Sequence, residues 1–146
     1  MKTQIQFTLL LAAALYMGWG LALLLAPMPA HALISIGPYD PVVSAMLGAA
    51  LISFTVTFLI GARDPVKEIV RASSAAMFLI GLTAAFFIFI NKSMPLSVVT
   101  VGTLLIDLVA AGVLFLSEAK LDLLRHARPV KSRALKASGR KRKRYA

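Results

Sequence analysis

Four long apolar runs constrain this chain more than any other feature of its sequence. They cover about residues 7–26, 42–62, 70–90 and 96–116, and away from their ends the one charged residue in them is Asp107. An α-helix of roughly 20 residues crosses a hydrocarbon core about 30 Å thick, so each run is long enough to span a bilayer. The chain is 59% hydrophobic and 15% charged, whereas soluble domains carry roughly 25% charged residues. The sequence therefore predicts a polytopic membrane protein.

The short connections predict how these helices are arranged. Only a few residues around Arg63 and around Ser93 separate the last three runs, so consecutive helices should be antiparallel neighbours. Asp40-Pro41 and Asp64-Pro65 each place a capping acid before a proline that suits a first helical position. We therefore expect an all-α, antiparallel four-transmembrane-helix bundle over residues 1–128, with helix starts at Pro41 and Pro65. A ligand-binding role for the Arg63-Asp64-Pro65 connection is the less favoured alternative.

The distribution of basic residues predicts the orientation. Lys2, Arg63, Lys67, Arg71 and the C-terminal tail would lie on one side, and Lys92 on the other. Positive residues accumulate on the cytoplasmic side of a membrane. We expect both termini of this multi-pass protein to be cytoplasmic.

The first run also has features of a signal peptide. Lys2 precedes it, and Ala30-His31-Ala32 after it has the A-x-A pattern of a cleavage site. A signal peptide's apolar region is typically about 7 to 15 residues long, however, and this run is longer and contains Tyr16 and Trp19. We expect it to be retained as the first span. Cleavage would leave three spans and an external N-terminus.

Small residues recur at helical spacing and predict packing seams, because membrane helices associate through close backbone approach and interhelical hydrogen bonds. Such seams would also suit contact with another subunit. The positions are Ala45, Ala49, Ser53, Thr57 and Gly61 in the second run, Ala14, Gly18 and Ala22 in the first, and Gly81 and Ala85 in the third.

Asp107 is the main candidate functional residue. An ionised carboxylate near mid-membrane costs on the order of 2.5 to 3.5 kcal/mol by insertion scales, so its face of the helix should turn into the bundle. One intramembrane hydrogen bond averages only about 0.6 kcal/mol. Neighbouring hydroxyls alone would therefore hardly hold the charge, and we expect a neutral carboxyl or a cation from a ligand or another subunit.

The surroundings of Asp107 follow from helix periodicity and from depth in the membrane. Thr100, Thr103, Ala110 and Ala111 share its side of the helix, and Tyr16, Ser53 and Thr83 lie at similar depth. A ligand or proton site and a purely structural interhelical hydrogen bond both remain open. The candidate ligand-binding residues are Asp107, Tyr16, Ser53, Thr83 and Thr103.

The segment between the first two runs, residues 27–40, contains several prolines together with apolar residues. We expect a loop on the membrane surface. His31, Tyr39 and Asp40 are its polar side chains and could line an external mouth, although an interfacial lid without a ligand is favoured.

The last helix should continue past the membrane to about residue 128, because Pro129 would stop it. Residues 130–146 contain eight Lys or Arg and no acid, whereas the whole chain has a net charge of +10. A tail of this composition, residues 129–146, is expected to be disordered or extended. It should bind anionic lipid headgroups or an acidic partner, and without interleaved aromatic residues nucleic acid is disfavoured. The predicted binding residues are Arg140, Lys141, Arg142, Lys143 and Arg144.

No catalytic constellation is visible in the sequence. The chain has no cysteine and two histidines, His31 and His126, which are far apart. We find no paired carboxylates, metal-ligand cluster or nucleophile with its base. The sequence therefore predicts no catalytic residue, metal or cofactor, and an enzyme is the least supported class.

One diffuse pattern resembles a known family. Gly18 to Gly20, Pro27, Gly48, Arg63-Asp64-Pro65 and Asp107 occur in an order similar to that of the DoxX-like small bacterial four-helix membrane proteins, over about residues 7–117. This resemblance implies a bacterial inner-membrane bundle, and some members of the group are linked to quinone-dependent redox complexes.

Two functional hypotheses follow. The first is a non-enzymatic accessory or scaffold subunit that packs against a larger membrane complex or against its own copies. The second is a binding or transport protein for a small amphipathic, quinone-like molecule that contacts Asp107.

Overall fold

The computed structural model describes residues 2–127, of which 120–127 are described as helical backbone only. It contains α1 (Lys2–Leu25), α2 (Pro27–Ile34), α3 (Pro41–Arg63), α4 (Lys67–Ala85) and α5 (Val98–Ala127). A π-helical segment, Phe86–Ile90, prolongs α4. Four helices, α1, α3, α4 with its π-helical segment, and α5, are long and apolar enough to cross a membrane. The predicted all-α bundle of four candidate spans is confirmed.

The two long helix pairs form the body of the protein. α1 packs along α3, and α4 packs along α5, whereas α3 and α4 make much sparser contact. Near the connection of α3 to α4, a Cβ on Gly61 would lie 2.8 Å from Cγ2 of Ile69. The buried cluster at the centre draws on all four long helices and contains Ile5, Leu9, Ala12, Ala13, Tyr16, Phe58, Ala62, Val70, Met77, Ala110, Ala111 and Leu114.

α1 begins before the apolar run does. The polar residues after Lys2 continue the helix because Ile5 is buried in the core and no helix breaker precedes it. The Thr8 hydroxyl donates a hydrogen bond to the Gln4 carbonyl oxygen at 2.9 Å, which satisfies one acceptor in this first turn.

The predicted surface loop between the first two spans is wrong for its first part, because residues Pro27–Ile34 form α2. Ala26, with φ −134° and ψ 61°, breaks the helix before Pro27. Proline is tolerated at a first helical position because the N–H that it lacks would have no partner there. Ala30 then packs inward, and the Ser35 N–H donates to the His31 carbonyl at 2.8 Å to close the helix.

One of the two predicted Asp-Pro helix starts is correct. Asp40 caps α3, since its Oδ1 accepts from the N–H groups of Val42 at 2.8 Å and Val43 at 3.1 Å. The prediction for Asp64-Pro65 is wrong, because Asp64 ends α3 and α4 begins at Lys67.

The physical reason lies in the length of the connection. Asp64 is extended, with φ −133° and ψ 93°, as expected for a residue before proline. The chain must reverse direction between Arg63 and Lys67, and a helix starting directly at Pro65 would leave too few extended residues for that reversal. The Val66 N–H instead donates to the Asp64 carbonyl at 2.8 Å.

The predicted packing seam on α3 is wrong for four of its five positions. Ala45, Ala49, Ser53 and Thr57 are exposed, and Gly61 alone of the five is buried. The face of α3 that packs inward is offset from them and carries Ser44, Gly48, Thr55, Phe58 and Ala62. α3 itself carries apolar or small residues on all of its faces, so its sequence contains no amphipathic pattern that would indicate the buried face.

The seams predicted on α1 and α4 have different outcomes. Ala14 and Gly18 are exposed, and α1 instead approaches α3 at Gly20. A Cβ on Gly20 would lie 3.0 Å from the Gly48 carbonyl oxygen. Gly81 on α4 is buried as predicted, and a Cβ there would lie 2.9 Å from Cδ2 of Leu108 on α5.

Candidate ligand site at Asp107

Asp107 lies on the inward face of α5. Its side of the helix also carries Leu104, Ala110, Ala111 and Leu114, all of them buried, and Asp107 itself is 3% exposed. A Cβ on Gly81 of α4 would lie 3.7 Å from the Asp107 Cβ, so the missing side chain at Gly81 makes room for this part of α5. The prediction that Asp107 turns into the bundle is confirmed.

Tyr16 of α1 is the predicted neighbour that the structure does bring to Asp107. The phenol and the carboxyl lie within range of electrostatic interaction. Their arrangement is not that of a formed hydrogen bond, since neither the Tyr16 hydroxyl nor Oδ1 of Asp107 has a hydrogen-bond partner among the described residues. Unpartnered polar atoms in a bundle core are costly. The pair therefore presents a donor and an acceptor that a third group could engage.

Aromatic packing fixes the position of the tyrosine ring. Phe58 and Phe54 of α3 meet the Tyr16 ring edge to face, with centroid distances of 5.1 Å and 6.2 Å. Such packing favours a single ring orientation. The ring is therefore held against α3, with its hydroxyl near Asp107 of α5.

Thr103, one turn before Asp107, contacts a different aromatic residue. Its hydroxyl donates to the Val99 carbonyl at 2.8 Å and accepts from the Trp19 indole N–H at 3.4 Å. Trp19 follows Tyr16 by one turn of α1, so the antiparallel helices α1 and α5 present two polar pairs in register. Trp19 is not among the predicted site residues, although it follows Tyr16 by about one helical turn, as Asp107 follows Thr103.

The structure does not bring Ser53 and Thr83 to Asp107. Both are exposed on the outer faces of α3 and α4, and the Ser53 hydroxyl donates to the Ala49 carbonyl of its own helix at 3.0 Å. Their inclusion in the site is wrong because an equal depth in the membrane does not determine how each helix is rotated about its axis.

Thr100 is buried, as its position predicts, but it belongs to the start of α5. Its hydroxyl accepts from the Ser97 N–H at 3.1 Å, and the Ser97 hydroxyl accepts from the Thr100 N–H at 3.2 Å. This reciprocal pair resembles a capping box with threonine in place of the usual acid. The Ser-x-x-Thr spacing is a sequence signal for the start of this helix.

The residues at the end of the bundle where α1 ends and α5 begins form contacts among themselves. The Ile36 N–H donates to the Ser93 carbonyl at 2.9 Å, which joins the two connections at this end. The His31 and Tyr39 rings meet edge to face at 5.5 Å, and the carboxylate of Asp40 caps α3. The interfacial lid at this end stays a prediction.

A second polar pair joins α4 to α5 at the end of the bundle where α1 begins and α5 ends. Nε and Nη2 of Arg71 both donate to Oε1 of Glu118, at 2.8 Å and 2.7 Å. The Glu118 side chain is 7% exposed, and that of Arg71 is 66% exposed. The sequence predicts the side of the membrane on which Arg71 lies, but it does not predict the pairing with Glu118.

The chemistry available at Asp107 is that of binding. A carboxyl and a phenol can accept and donate one hydrogen bond each to a small polar group. Among the described residues, no three His, Asp or Glu side chains form a cluster that could hold a metal ion. The predicted tail residues Arg140, Lys141, Arg142, Lys143 and Arg144, together with Pro129, lie outside the described residues.

Comparisons with protein-family models, with curated proteins and with solved structures find no match for this chain. The resemblance to the DoxX-like group therefore stays a prediction, and the fold and the Asp107 site are the basis for assigning a function.

Proposed function

We propose that this protein is a non-enzymatic accessory or scaffold subunit of a membrane complex. The observation that carries the proposal is the exposed small-residue face of α3, formed by Ala45, Ala49, Ser53 and Thr57. Lipid chains need no such face, whereas a second helix can approach closely only where side chains are small.

This exposed face of α3 does not take part in the packing of α3 inside the bundle. α3 packs on α1 through the separate set that includes Gly48 and Thr55. The Ser53 and Thr57 hydroxyls donate to carbonyls one turn earlier, at 3.0 Å and 3.3 Å. The face therefore presents a shallow surface without unsatisfied hydroxyl donors, which suits van der Waals packing against another helix.

The proposal includes a location and a role for the tail. Lys and Arg placement supports cytoplasmic termini in a cell inner membrane. Arg140, Lys141, Arg142, Lys143 and Arg144 would hold anionic lipid headgroups or an acidic surface of the complex. The DoxX-like resemblance favours the same location and a bacterial source.

The test compares assemblies in mild detergent. The double variant Ala49→Leu/Ser53→Leu fills the exposed face, and Gly102→Leu is the control, since a Cβ at Gly102 meets no atom within 4 Å. We expect native mass spectrometry of the wild type and control to give a defined complex larger than 15.6 kDa. The double variant should give a monomer.

The masses also identify the partner class. A multiple of the chain mass indicates copies of this protein, and any other fixed stoichiometry indicates a different subunit. A wild-type monomer, or a complex unaffected by the double variant, would refute the assignment of this face to subunit packing.

The second candidate function is binding of a small amphipathic, quinone-like ligand. The observation that favours it is the buried Tyr16 hydroxyl beside Asp107 Oδ1, neither with a hydrogen-bond partner among residues 2–119. A quinone carbonyl could accept from the phenol. Binding of decylubiquinone to the monomer, lost in Tyr16→Phe and kept in Gly102→Leu, would support this function, whereas equal binding by both variants would exclude this site.

A further inference from the structure

An open groove of about 710 Å³ runs between α4 and α5 on the outside of the bundle. Its floor is formed by small residues, including Ser74, Ala111 and Gly112, and its walls include Phe78 and Phe115. The ion pair of Arg71 with Glu118 lies at one end. None of these residues belongs to the Asp107 pair or to the exposed face of α3.

The groove follows from how the two helices are held together. The Ser74 hydroxyl donates to the Ala111 carbonyl at 2.9 Å, so the backbones are close at this level. Phe78 and Phe115 are exposed at the sides, while a Cβ on Gly112 would meet no atom within 4 Å. The space is therefore a shallow channel with a polar end and apolar walls.

The length of the groove limits what can occupy it. From Arg71 to Phe78, α4 rises about 10 Å at 1.5 Å per residue, whereas the hydrocarbon core is about 30 Å thick. A transmembrane helix would extend far beyond the groove. A chain that enters from one membrane surface and stops before the midplane matches it, and an acyl chain of a single leaflet has that reach.

The polar end identifies the headgroup chemistry. Arg71 uses Nε and Nη2 on a single Glu118 oxygen and still has a side chain that is 66% exposed. Among the side chains that the structure describes, Glu118 is the hydrogen-bond partner of Arg71, and the remaining N–H donors of the guanidinium could bind an anion above the groove. A guanidinium matches the geometry of a phosphate, which it can bind with two parallel hydrogen bonds.

We propose that the groove between α4 and α5 binds one membrane phospholipid, with an acyl chain between Phe78 and Phe115 and the phosphate on Arg71. The lipid comes from the leaflet at the end of the bundle where α1 begins and α5 ends. Glu118 orients the guanidinium from behind.

The acyl-chain half of the proposal is tested by filling the groove. Gly112→Leu places a side chain in open space and should fold normally, and Gly102→Leu is the matched control on the same helix and outside the groove. Native mass spectrometry of the full-length protein, in whichever assembly state it forms, would measure retention of added dioleoyl phosphatidylglycerol per chain. We expect one retained lipid in the wild type and control, and about tenfold lower occupancy in Gly112→Leu. Equal retention in all three proteins would overturn the site.

The phosphate half requires a variant that leaves no buried charge unpaired. Arg71→Gln/Glu118→Gln removes both members of the ion pair and should lower lipid occupancy about fivefold or more. Unchanged retention in this variant would refute the role of Arg71. Glycerol phosphate, which has the headgroup without acyl chains, should not displace the lipid, and displacement would refute the acyl-chain anchor.

Phosphatidylcholine in place of phosphatidylglycerol separates phosphate recognition from net-charge recognition. Arg71 contacts the phosphate that both lipids share, so we expect retention within about threefold between them. Complete loss with phosphatidylcholine would contradict phosphate binding as the basis of the site.

Discussion

Replacing Gly48 by alanine should destabilise the bundle more than its small size suggests. At Gly48 the new Cβ would lie 3.0 Å from the Gly20 carbonyl oxygen and 3.2 Å from the Leu23 Cβ. Neither atom can move without shifting the α1 backbone. Gly20→Ala meets Ile52 Cγ1 at 2.7 Å, the Gly48 carbonyl oxygen at 3.0 Å and the Ile52 backbone nitrogen at 3.3 Å, and the branched side chain of Ile52 is stiff at χ1 in a helix.

The magnitude follows from overpacking. Inserting a methyl group into a well-packed contact typically costs about 1–3 kcal/mol, and the two backbone-limited contacts place Gly48→Ala toward the upper end. Alanine also raises helix propensity by about 0.5–1 kcal/mol over glycine, which offsets part of the loss. We expect net destabilisation of about 1–2 kcal/mol for Gly48→Ala and a similar loss for Gly20→Ala.

Gly18→Ala is the matched control, because it lies on the same helix as Gly20 and a Cβ there meets no atom within 4 Å. Its stability should be unchanged or higher by up to about 1 kcal/mol. Reversible unfolding in mixed detergent, followed by far-UV circular dichroism, would measure all three variants. Destabilisation by Gly18→Ala equal to that by Gly48→Ala would refute the assignment of the α1–α3 seam.

Three further outcomes are expected from the same unfolding assay. A double-mutant cycle of Tyr16→Phe and Asp107→Asn should give a coupling energy below about 0.6 kcal/mol, the average for intramembrane hydrogen bonds, because the two groups are close but not hydrogen-bonded to each other, and a value above about 2 kcal/mol would contradict that geometry. Arg71→Gln should destabilise by about 1–3 kcal/mol because it leaves Glu118 unpaired, and adding Glu118→Gln should restore most of that loss; no recovery would argue against the ion pair. Asp40→Ala removes the cap of α3 and should cost about 1 kcal/mol, whereas an unchanged midpoint would indicate that the cap contributes nothing.

The number of spans and the class of fold could be predicted from the sequence because hydrocarbon imposes one requirement, about 20 apolar residues in a row. The helix start at Asp40-Pro41 was predictable for a local reason, since the cap needs only Asp40 and the next few backbone N–H groups. Asp64-Pro65 has the same local pattern but lies in a short chain reversal, and α4 begins only at Lys67. Because Asp64 does not start a helix there, Asp64→Ala should change stability by less than about 0.5 kcal/mol.

Which way each helix faces could not be predicted. In a soluble helix the polar side marks the surface, but α3 is apolar or small all round, and lipid and core select similar residues. The sequence therefore placed Ser53 and Thr83 inside when both are outside. Asp107 was placed correctly because a carboxylate facing lipid is costly enough to determine rotation by itself.

The chain contains a single tryptophan, and its indole N–H lies 3.4 Å from the Thr103 hydroxyl, across the contact between α1 and α5. Since α1 belongs to one helix pair and α5 to the other, intrinsic fluorescence of Trp19 reports directly on whether the two helix pairs are docked against each other. The protein thus has a native optical probe of its own assembly, and time-resolved emission could follow the joining of the two halves without any attached dye.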